Sequence, residues 1–367
     1  MQGLILDGHK LAWHGERVQA WLRGERIAPL TIDWALSRRC SYNCVYCYGQ
    51  LQANAERELT RAVIFRFLDD AAEIGVKAVS FVSDGESTCH PHLAEAILRG
   101  RRNGLDMALG TNGYLLRDDD LPEILPALTY LRFNFSAGTP ERYAEIHGCA
   151  AHCYDKVLAT IRRAVALKAA LGLEVTLGLQ MVLMPSMADQ ILPLARLGKD
   201  LGVDYLVIKH CSDDENSSLG VDYSQYFGLA SRLEEAEACS GDGYLVKVKW
   251  SKILSGATRS YSRCYGPPLI LQLSGSGLVA PCGMLFATQY SQYHIGNIAE
   301  KPFKEIWQSE RYWEVMRRIA SDRFDARTMC GTLCLQHTVN ECLWQLKHDD
   351  AELDQPGGVP PPHVNFI

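Results

Sequence analysis

Between Thr31 and Ile208 apolar, partly β-branched runs alternate with segments of helical periodicity, and this rhythm limits the fold more than anything else in the sequence. The runs at 31–36, 76–82, 106–109, 130–135, 173–184 and 205–208 read as strands. Helical stretches at 55–74, 91–101, 121–128, 154–171 and 188–201 lie between them. Strands that alternate with helices build a parallel sheet with the helices outside. Their right-handed crossovers curl the sheet toward a barrel. The expected class is therefore α/β: a partial (β/α)6, TIM-like barrel followed by a small α+β domain. On such a frame chemistry gathers at the C-terminal strand ends and the loops just after them.

The rest of the chain divides around that barrel. Residues 1–28 form a short N-terminal prelude, with Arg17, Val18, Trp21 and Leu22 at helical spacing. Residues 29–211 carry the barrel. Residues 212–259 make a linker with bridging elements, a helix near 226–238 and an alternating strand at 244–250. Their polar start, SDDENSSLGVDYSQ, is placed as a lid over the barrel mouth. Residues 260–346 form the α+β domain, with a hairpin at 269–280 and short helices at 303–307 and 313–319. The tail, 347–367, contains GGVPPPHVNF and is expected to be loosely ordered.

A length of 367 residues exceeds what one core usually supports. No apolar run nears the ~18 residues that span a bilayer. The N-terminus lacks the basic start and apolar centre of a signal peptide. These features indicate a soluble, cytoplasmic protein with no membrane partner. A net charge of -6, with basic pairs short and scattered, argues against nucleic acid as the main partner.

Thirteen cysteines without an export signal point to metal ligation rather than a disulfide framework. The first group, Cys40-Ser-Tyr-Asn-Cys44-Val-Tyr-Cys47, directly follows the first strand. Three thiolates so spaced can converge on three irons of a cubane and leave the fourth iron without a protein ligand. Tetrahedral zinc would need a fourth donor, for which His90 is nearest in sequence.

This C-x3-C-x2-C spacing, with Tyr46 before the third cysteine, resembles the radical SAM superfamily. The resemblance implies a [4Fe–4S] cluster on Cys40, Cys44 and Cys47, with S-adenosylmethionine chelating the open iron through its amino and carboxylate groups. It implies reductive cleavage to a 5'-deoxyadenosyl radical, hydrogen abstraction from a substrate, and a reducing partner such as flavodoxin or ferredoxin. On the same resemblance Tyr46 lies near the adenine. Ser83-Asp84-Gly85-Glu86 stands where the family has a glycine-glycine-glutamate turn that receives the methionine amine. Asp84 replaces the first glycine, and Glu86 is the expected acceptor. Ser136, and after it Asn134, would contact ribose or carboxylate. Gly178 and Gln180 would pack against adenine, since a glycine inside a strand often marks close approach. Asn112 either joins the cofactor site or stabilises its own turn.

A second group comprises Cys264, Cys282, Cys330, Cys334 and Cys342. Gly277 precedes Cys282, and His294-Ile-Gly-Asn297 and FKEIW follow it. This arrangement resembles the auxiliary-cluster domain called SPASM, or its shortened relative, the twitch domain. It implies one auxiliary [4Fe–4S] cluster on Cys264, Cys282, Cys330 and either Cys334 or Cys342. A zinc knuckle is the alternative.

Lys209-His210-Cys211 follows the sixth strand at the functional face. In an epimerisation Cys211 could return hydrogen to the substrate, with Cys149 a second candidate. Lys209 and His210 could hold an anionic or hydroxylated substrate, or else pair with Asp213-Asp214-Glu215. Two functions follow. One is an oxidoreductase or epimerase acting on a polyhydroxylated small molecule such as a sugar or aminocyclitol, the auxiliary cluster assisting electron transfer. The other is a maturase that oxidises, crosslinks or epimerises a ribosomally synthesised peptide. The short prelude leaves no space for a winged-helix peptide-recognition domain, which favours the small molecule. A cobalamin-binding domain has no space there either.

Overall fold

The structure is a computed structural model that describes residues 3–241, 243–332, 334–349, 351–354 and 356–367. Ten strands form one sheet: β1 (Thr31–Trp34), β2 (Ala78–Phe81), β3 (Asp106–Thr111), β4 (Leu128–Asn134), β5 (Thr176–Leu183), β6 (Tyr205–His210), β7 (Leu245–Val248), β8 (Ile270–Leu273), β9 (Leu278–Ala280) and β10 (Gly296–Asn297). The first six are the expected barrel strands. β7 continues the sheet in parallel beyond β6, with Tyr205 opposite Leu245. On the other side β8 pairs in parallel with β1, Thr31 opposite Ile270. β9 and β10 then add antiparallel strands. Strands from the expected linker and C-terminal domain thus widen the parallel sheet to eight. Among the described residues β7 and β8 do not pair, so this partial barrel stays open along one side.

Alternation along β1 shows how the core is divided. Ile32 and Trp34 face the outer helices, and Trp34 packs on Phe67 of helix Arg61–Ile74 with ring centroids 4.5 Å apart. Thr60 caps that helix, its hydroxyl accepting from Val63 N, and Gly75 ends it with φ 96°. Thr31 and Asp33 turn inward and line the barrel cavity. Trp34 is fully buried. Trp34→Ala should therefore cost about 3–5 kcal/mol, read as a lower denaturation midpoint at unchanged m-value.

Among the described residues three α-helices were not expected, Pro140–His147, the single turn Trp250–Ile253 and His337–His348. The first carries its signal in the sequence, a proline at the first helical position after Thr139. Its last turn supports the first cysteine loop: Asn43 N donates to His147 O (3.1 Å) and Val45 N to Ile146 O (3.0 Å). Carbonyls that a helix end leaves unpaired thereby hold the loop.

The end of the tail departs from the expectation of loose order. Thr31 Oγ1 donates to Asn365 O (2.6 Å), Asn365 Nδ2 to Asp106 Oδ2 (2.7 Å), and His363 Nε2 meets Thr176 Oγ1 (2.6 Å). Phe366 packs against Tyr130. Thr31, Asp106 and Thr176 start their strands, so residues 363–367 close the bottom of the barrel. No helix or strand forms there, as the prolines dictate, but side-chain pairing orders the segment. Among the described residues no helix is long and apolar enough to cross a membrane.

Candidate active site

The entry to the first cysteine loop is gripped from two sides. A Cβ on Gly85 would fall inside the Ser37 carbonyl oxygen and lie 2.7 Å from Arg38 Cα. A Cβ on Gly275, in the β8–β9 turn, would overlap Arg38 N and lie 2.7 Å from Ser37 O. Asp84 ties the two sides together. Its carboxylate accepts from Ser274 Oγ (2.6 Å), Gly275 N (2.9 Å) and Asn54 Nδ2 (3.3 Å), with Arg38 Nε at 3.4 Å. The expected cofactor contact at Asp84 is thus corrected. Where the resembled family has a glycine, this chain has a buried strut between barrel and C-terminal hairpin.

The thiols of Cys40, Cys44 and Cys47 share that loop. Burial, then the Glu86 carboxylate and Cys47, pushes the Cys40 thiol up to about 12. Burial and both neighbouring thiols raise Cys44, and burial raises Cys47. Among the described residues no three His, Cys, Asp or Glu side chains are gathered tightly enough to hold a single metal ion. The donor chemistry nevertheless fits a cluster: soft sulfur ligands on one loop repel one another until cationic iron compensates them. His90 is excluded as a zinc ligand, because its Nε2 meets Leu59 O (2.9 Å) and its Nδ1 accepts from His92 N.

Glu86 is a buried hub. Oε1 accepts from Thr88 N (3.0 Å), Thr88 Oγ1 (2.8 Å) and Thr111 Oγ1 (2.8 Å), and Oε2 accepts from Asn112 N (2.8 Å). One lone pair on Oε2 is left for an incoming amine. Asn112 stabilises its own turn, Oδ1 accepting from Tyr114 N, and its Nδ2 donates into the cysteine loop, to Ser41 Oγ (3.1 Å) and Cys40 Sγ (3.7 Å).

His147 was missed, since a lone histidine at a helix end gives no sequence signal. It is fully buried, and burial pushes its pKa down to about 3, so it is neutral. Nε2 accepts from Ser136 N (3.0 Å), which leaves the proton on Nδ1. Nδ1 lies 3.3 Å from both Cys44 Sγ and the Tyr46 hydroxyl. Ser136 is therefore a supporting group, and its hydroxyl accepts from Val182 N (3.2 Å). It does not line the cavity.

Tyr46, Ser83, Asn134 and Gln180 do line a cavity of about 370 Å³ inside the barrel. Gln180 Nε2 donates to Asn134 Oδ1 (2.8 Å), fixing both amides. Gly178 departs from expectation, because the Tyr205 ring fills the space a Cβ would take. Its missing side chain accommodates a tyrosine, so the backbone there faces no ligand. Lys209 and His210 also line the cavity. Burial, then Lys252 and Arg132, brings Lys209 down to about 7. His210 Nδ1 meets Cys211 O at 2.8 Å, and its buried Nε2 has no hydrogen-bond partner among the described residues. Neither side chain pairs with the acidic run. Asp213 spends its carboxylate on the amides of Asp214, Leu219 and Val221. With Thr332 N donating to Asp213 O (2.9 Å), residues 212–225 form a pinned loop rather than a free lid. The Cys211 thiol is fully buried, off the cavity wall, and directed at the backbone oxygens of Tyr46 (3.7 Å) and Ser212 (3.5 Å).

The second cysteine group approaches the same cavity. Cys282 and Cys334 line it, as Cys47 does. Cys264 and Cys282 are raised by burial and then by Cys334 and Cys330 among their neighbours. Asn340 Nδ2 donates to Cys264 Sγ (3.6 Å). Cys342 stands apart, a correction to its place among the alternative ligands. On helix His337–His348 it packs in a separate apolar cluster with Leu11, Val18 and Ile27. Burial and Asp354, not another thiol, raise it to about 11.

Residues 34–197 match the radical SAM superfamily, and residues 264–335 match the iron–sulfur cluster-binding domain SPASM. The AdoMet-dependent heme synthase of Methanosarcina barkeri is 26% identical over 328 residues, 83% of this chain and 88% of that one. A tungsten-containing aldehyde ferredoxin oxidoreductase cofactor-modifying protein of Pyrococcus furiosus is 22% identical, over 76% of this chain and 80% of its own. In fold the chain resembles Streptococcus suis SuiB bound to S-adenosylmethionine (TM-score 0.63, 16% identity, 83% of this chain and 72% of that chain), a protein also solved with its precursor peptide SuiA. It also resembles anSMEcpe with bound AdoMet (TM-score 0.57, 16% identity, 80% and 84% covered), which is also solved with peptides.

Proposed function

We propose, from the premise that this chain is a radical SAM enzyme with a SPASM-type C-terminal domain, that it oxidises a substrate held in the barrel between its two cysteine groups. The observation that carries this reading is a single cavity lined by Cys47 of the first group and by Cys282 and Cys334 of the second. Cys40, Cys44 and Cys47 would hold a [4Fe–4S] cluster, which would supply the electron for reductive cleavage of S-adenosylmethionine and with it the means to abstract hydrogen from the substrate. The chain's residues do the positioning. Asn112 directs its amide toward Ser41 and Cys40, Glu86 offers its remaining lone pair to the methionine amine, and Tyr46 with the Asn134–Gln180 pair walls the nucleoside side. Cys264, Cys282, Cys330 and Cys334 would hold the auxiliary cluster, which takes the electron that an oxidised substrate must lose. Flavodoxin or ferredoxin is the proposed reductant.

Modification of a peptide has better support than the polyhydroxylated small molecule. The complexes of SuiB and anSMEcpe hold peptides. Epimerisation through Cys211 loses support from the direction of its thiol.

Anaerobic reconstitution should give about eight irons per chain, and dithionite with S-adenosylmethionine should give 5'-deoxyadenosine. Four irons would remove the auxiliary cluster, and no 5'-deoxyadenosine would remove the reading as a whole. Cys334→Ser should lower the iron count and alter the second cluster's spectrum, while Cys342→Ser should keep both; the reverse pattern would reassign the ligand. A hydrogen bond to a ligating sulfur favours the more negative, reduced cluster and so raises its potential. His147→Gln, which can still accept from Ser136 N but cannot donate toward Cys44, should lower the first cluster's midpoint in an EPR-monitored titration. His147→Asn, with a donor near the Nδ1 position, should restore it.

A further inference from the structure

The cavity between the cysteine groups carries an excess of positive groups. Arg132 projects from the middle of β4, Lys209 from the end of β6, Lys249 and Lys252 follow β7, and Lys10 lies nearer the floor. Two are accounted for: Lys252 Nζ donates to Cys334 O (2.6 Å) and Lys10 Nζ to Phe366 O. The other three are not. Arg132 Nε is buried without a hydrogen-bond partner, its guanidinium lying 5.6 Å from the centre of the Tyr130 ring, and Lys209 and Lys249 make no hydrogen bond or ion pair with any described residue.

Counter-charge within the cavity is scarce. Asp84 is spent on Ser274, Gly275 and Arg38. Asp33 remains, one carboxyl near both Arg132 and Lys209; burial pushes it up to about 7 against the pull of Arg132, Gln272 and Lys209, and Gln272 Nε2 already donates to it (3.3 Å). Burial likewise pulls Lys249 well below the usual lysine range, with Lys252, Lys209 and Arg132 adding to the effect. Cations enclosed together without partners are costly, and a bound anion relieves that cost. The cofactor's own carboxylate is a poor fit for this role. Its expected place is at the strand ends beside Cys40, Cys44 and Cys47, whereas Arg132 sits one inward position below Asn134, opposite Gly178.

The distribution of the groups narrows the ligand. They stand on or just after separate strands around the wall; none belongs to a glycine-rich nest, and the helix that Lys249 caps, Trp250–Ile253, is a single turn, too short to cradle a phosphate by itself. Separate cations suit separate monoanionic groups, and the arginine fork suits a carboxylate. We propose that the substrate carries at least two carboxylates, held in the barrel by Arg132, Lys209 and Lys249, with its reacting carbon left toward Cys47. This rests on the oxidative reading above and names the chemistry of its substrate. The carboxylates belong either to a small polyacid or to acidic side chains of a peptide.

The test is anaerobic calorimetry on the reconstituted enzyme with S-adenosylmethionine present. Pimelate and its diamide are one pair of probes; acetyl-Glu-Ala-Ala-Glu-amide and its glutamine counterpart are the other. One acid of the two pairs should bind about tenfold or more tighter than its amide, and which one identifies the source. Lys209→Met with Lys249→Met should abolish that preference, and Arg132→Lys, which keeps the charge and loses the fork, should reduce it. Equal binding of acid and amide, no binding of either acid, or an undiminished preference in the double variant would overturn the proposal. Absence of 5'-deoxyadenosine from the wild-type enzyme would instead count against the oxidative reading, so the two failures are distinguishable.

Discussion

Replacing Cys40, Cys44 and Cys47 together by alanine should abolish reductive cleavage of S-adenosylmethionine, with 5'-deoxyadenosine falling at least ~10³-fold, a barrier increase of about 4 kcal/mol. The size follows from chemistry. With no sulfur ligand on the loop, nothing else there can take over, because His90 is committed to Leu59 and His92, and Glu86 to Thr88, Thr111 and Asn112. About four irons per chain should remain, held by the second group, whose thiols lie on other elements. The fold should persist, since the loop is held through Asn43 N, Val45 N and the Ser37–Arg38 grip rather than through its thiols. Retained cleavage would sink the assignment of the first cluster.

Gly85→Val should come close to that effect while leaving every cysteine in place. The new side chain cannot yield sideways, because what it meets is the backbone of Ser37 and Arg38, with Gly275 behind. The loop must shift or the β8–β9 turn must lift, and either separates Asp84 from Ser274. Expected results are loss of the first cluster's EPR signal, loss of 5'-deoxyadenosine and a marked drop in stability. Ser83→Ala, two residues away but without such a contact, should keep the signal. A Gly85→Val enzyme with full iron and normal cleavage would show that the grip has no bearing on the cluster.

Much of this was legible in residue order. Six strands, the cysteine loop after the first of them, and the C-terminal hairpin all follow from local periodicity and spacing, which a linear reading captures. What escaped depends on partners distant in sequence. Helix Pro140–His147 and the role of His147 depend on a loop a hundred residues earlier. Asp84 reads as an altered cofactor turn until Ser274 and Gly275 are seen beside it. Cys342 has plausible spacing, but helical geometry turns it into a different cluster from Cys334. The tail's prolines correctly argue against a helix, yet cannot reveal that His363 and Asn365 have partners at the strand starts.

The pairing of β8 with β1 has a consequence for the order of synthesis. During translation β1 and its cysteine loop leave the ribosome long before Ile270–Leu273 exist, so one edge of β1 waits unpaired through most of elongation. Over that interval the first cysteine group lacks one wall, and Gly275 has not yet closed on Ser37 and Arg38. Iron delivered early meets an open loop, whereas iron delivered to the finished chain must enter a grip already shut. Refolding from denaturant with iron and sulfide present should accordingly load the first site more completely than adding them after folding.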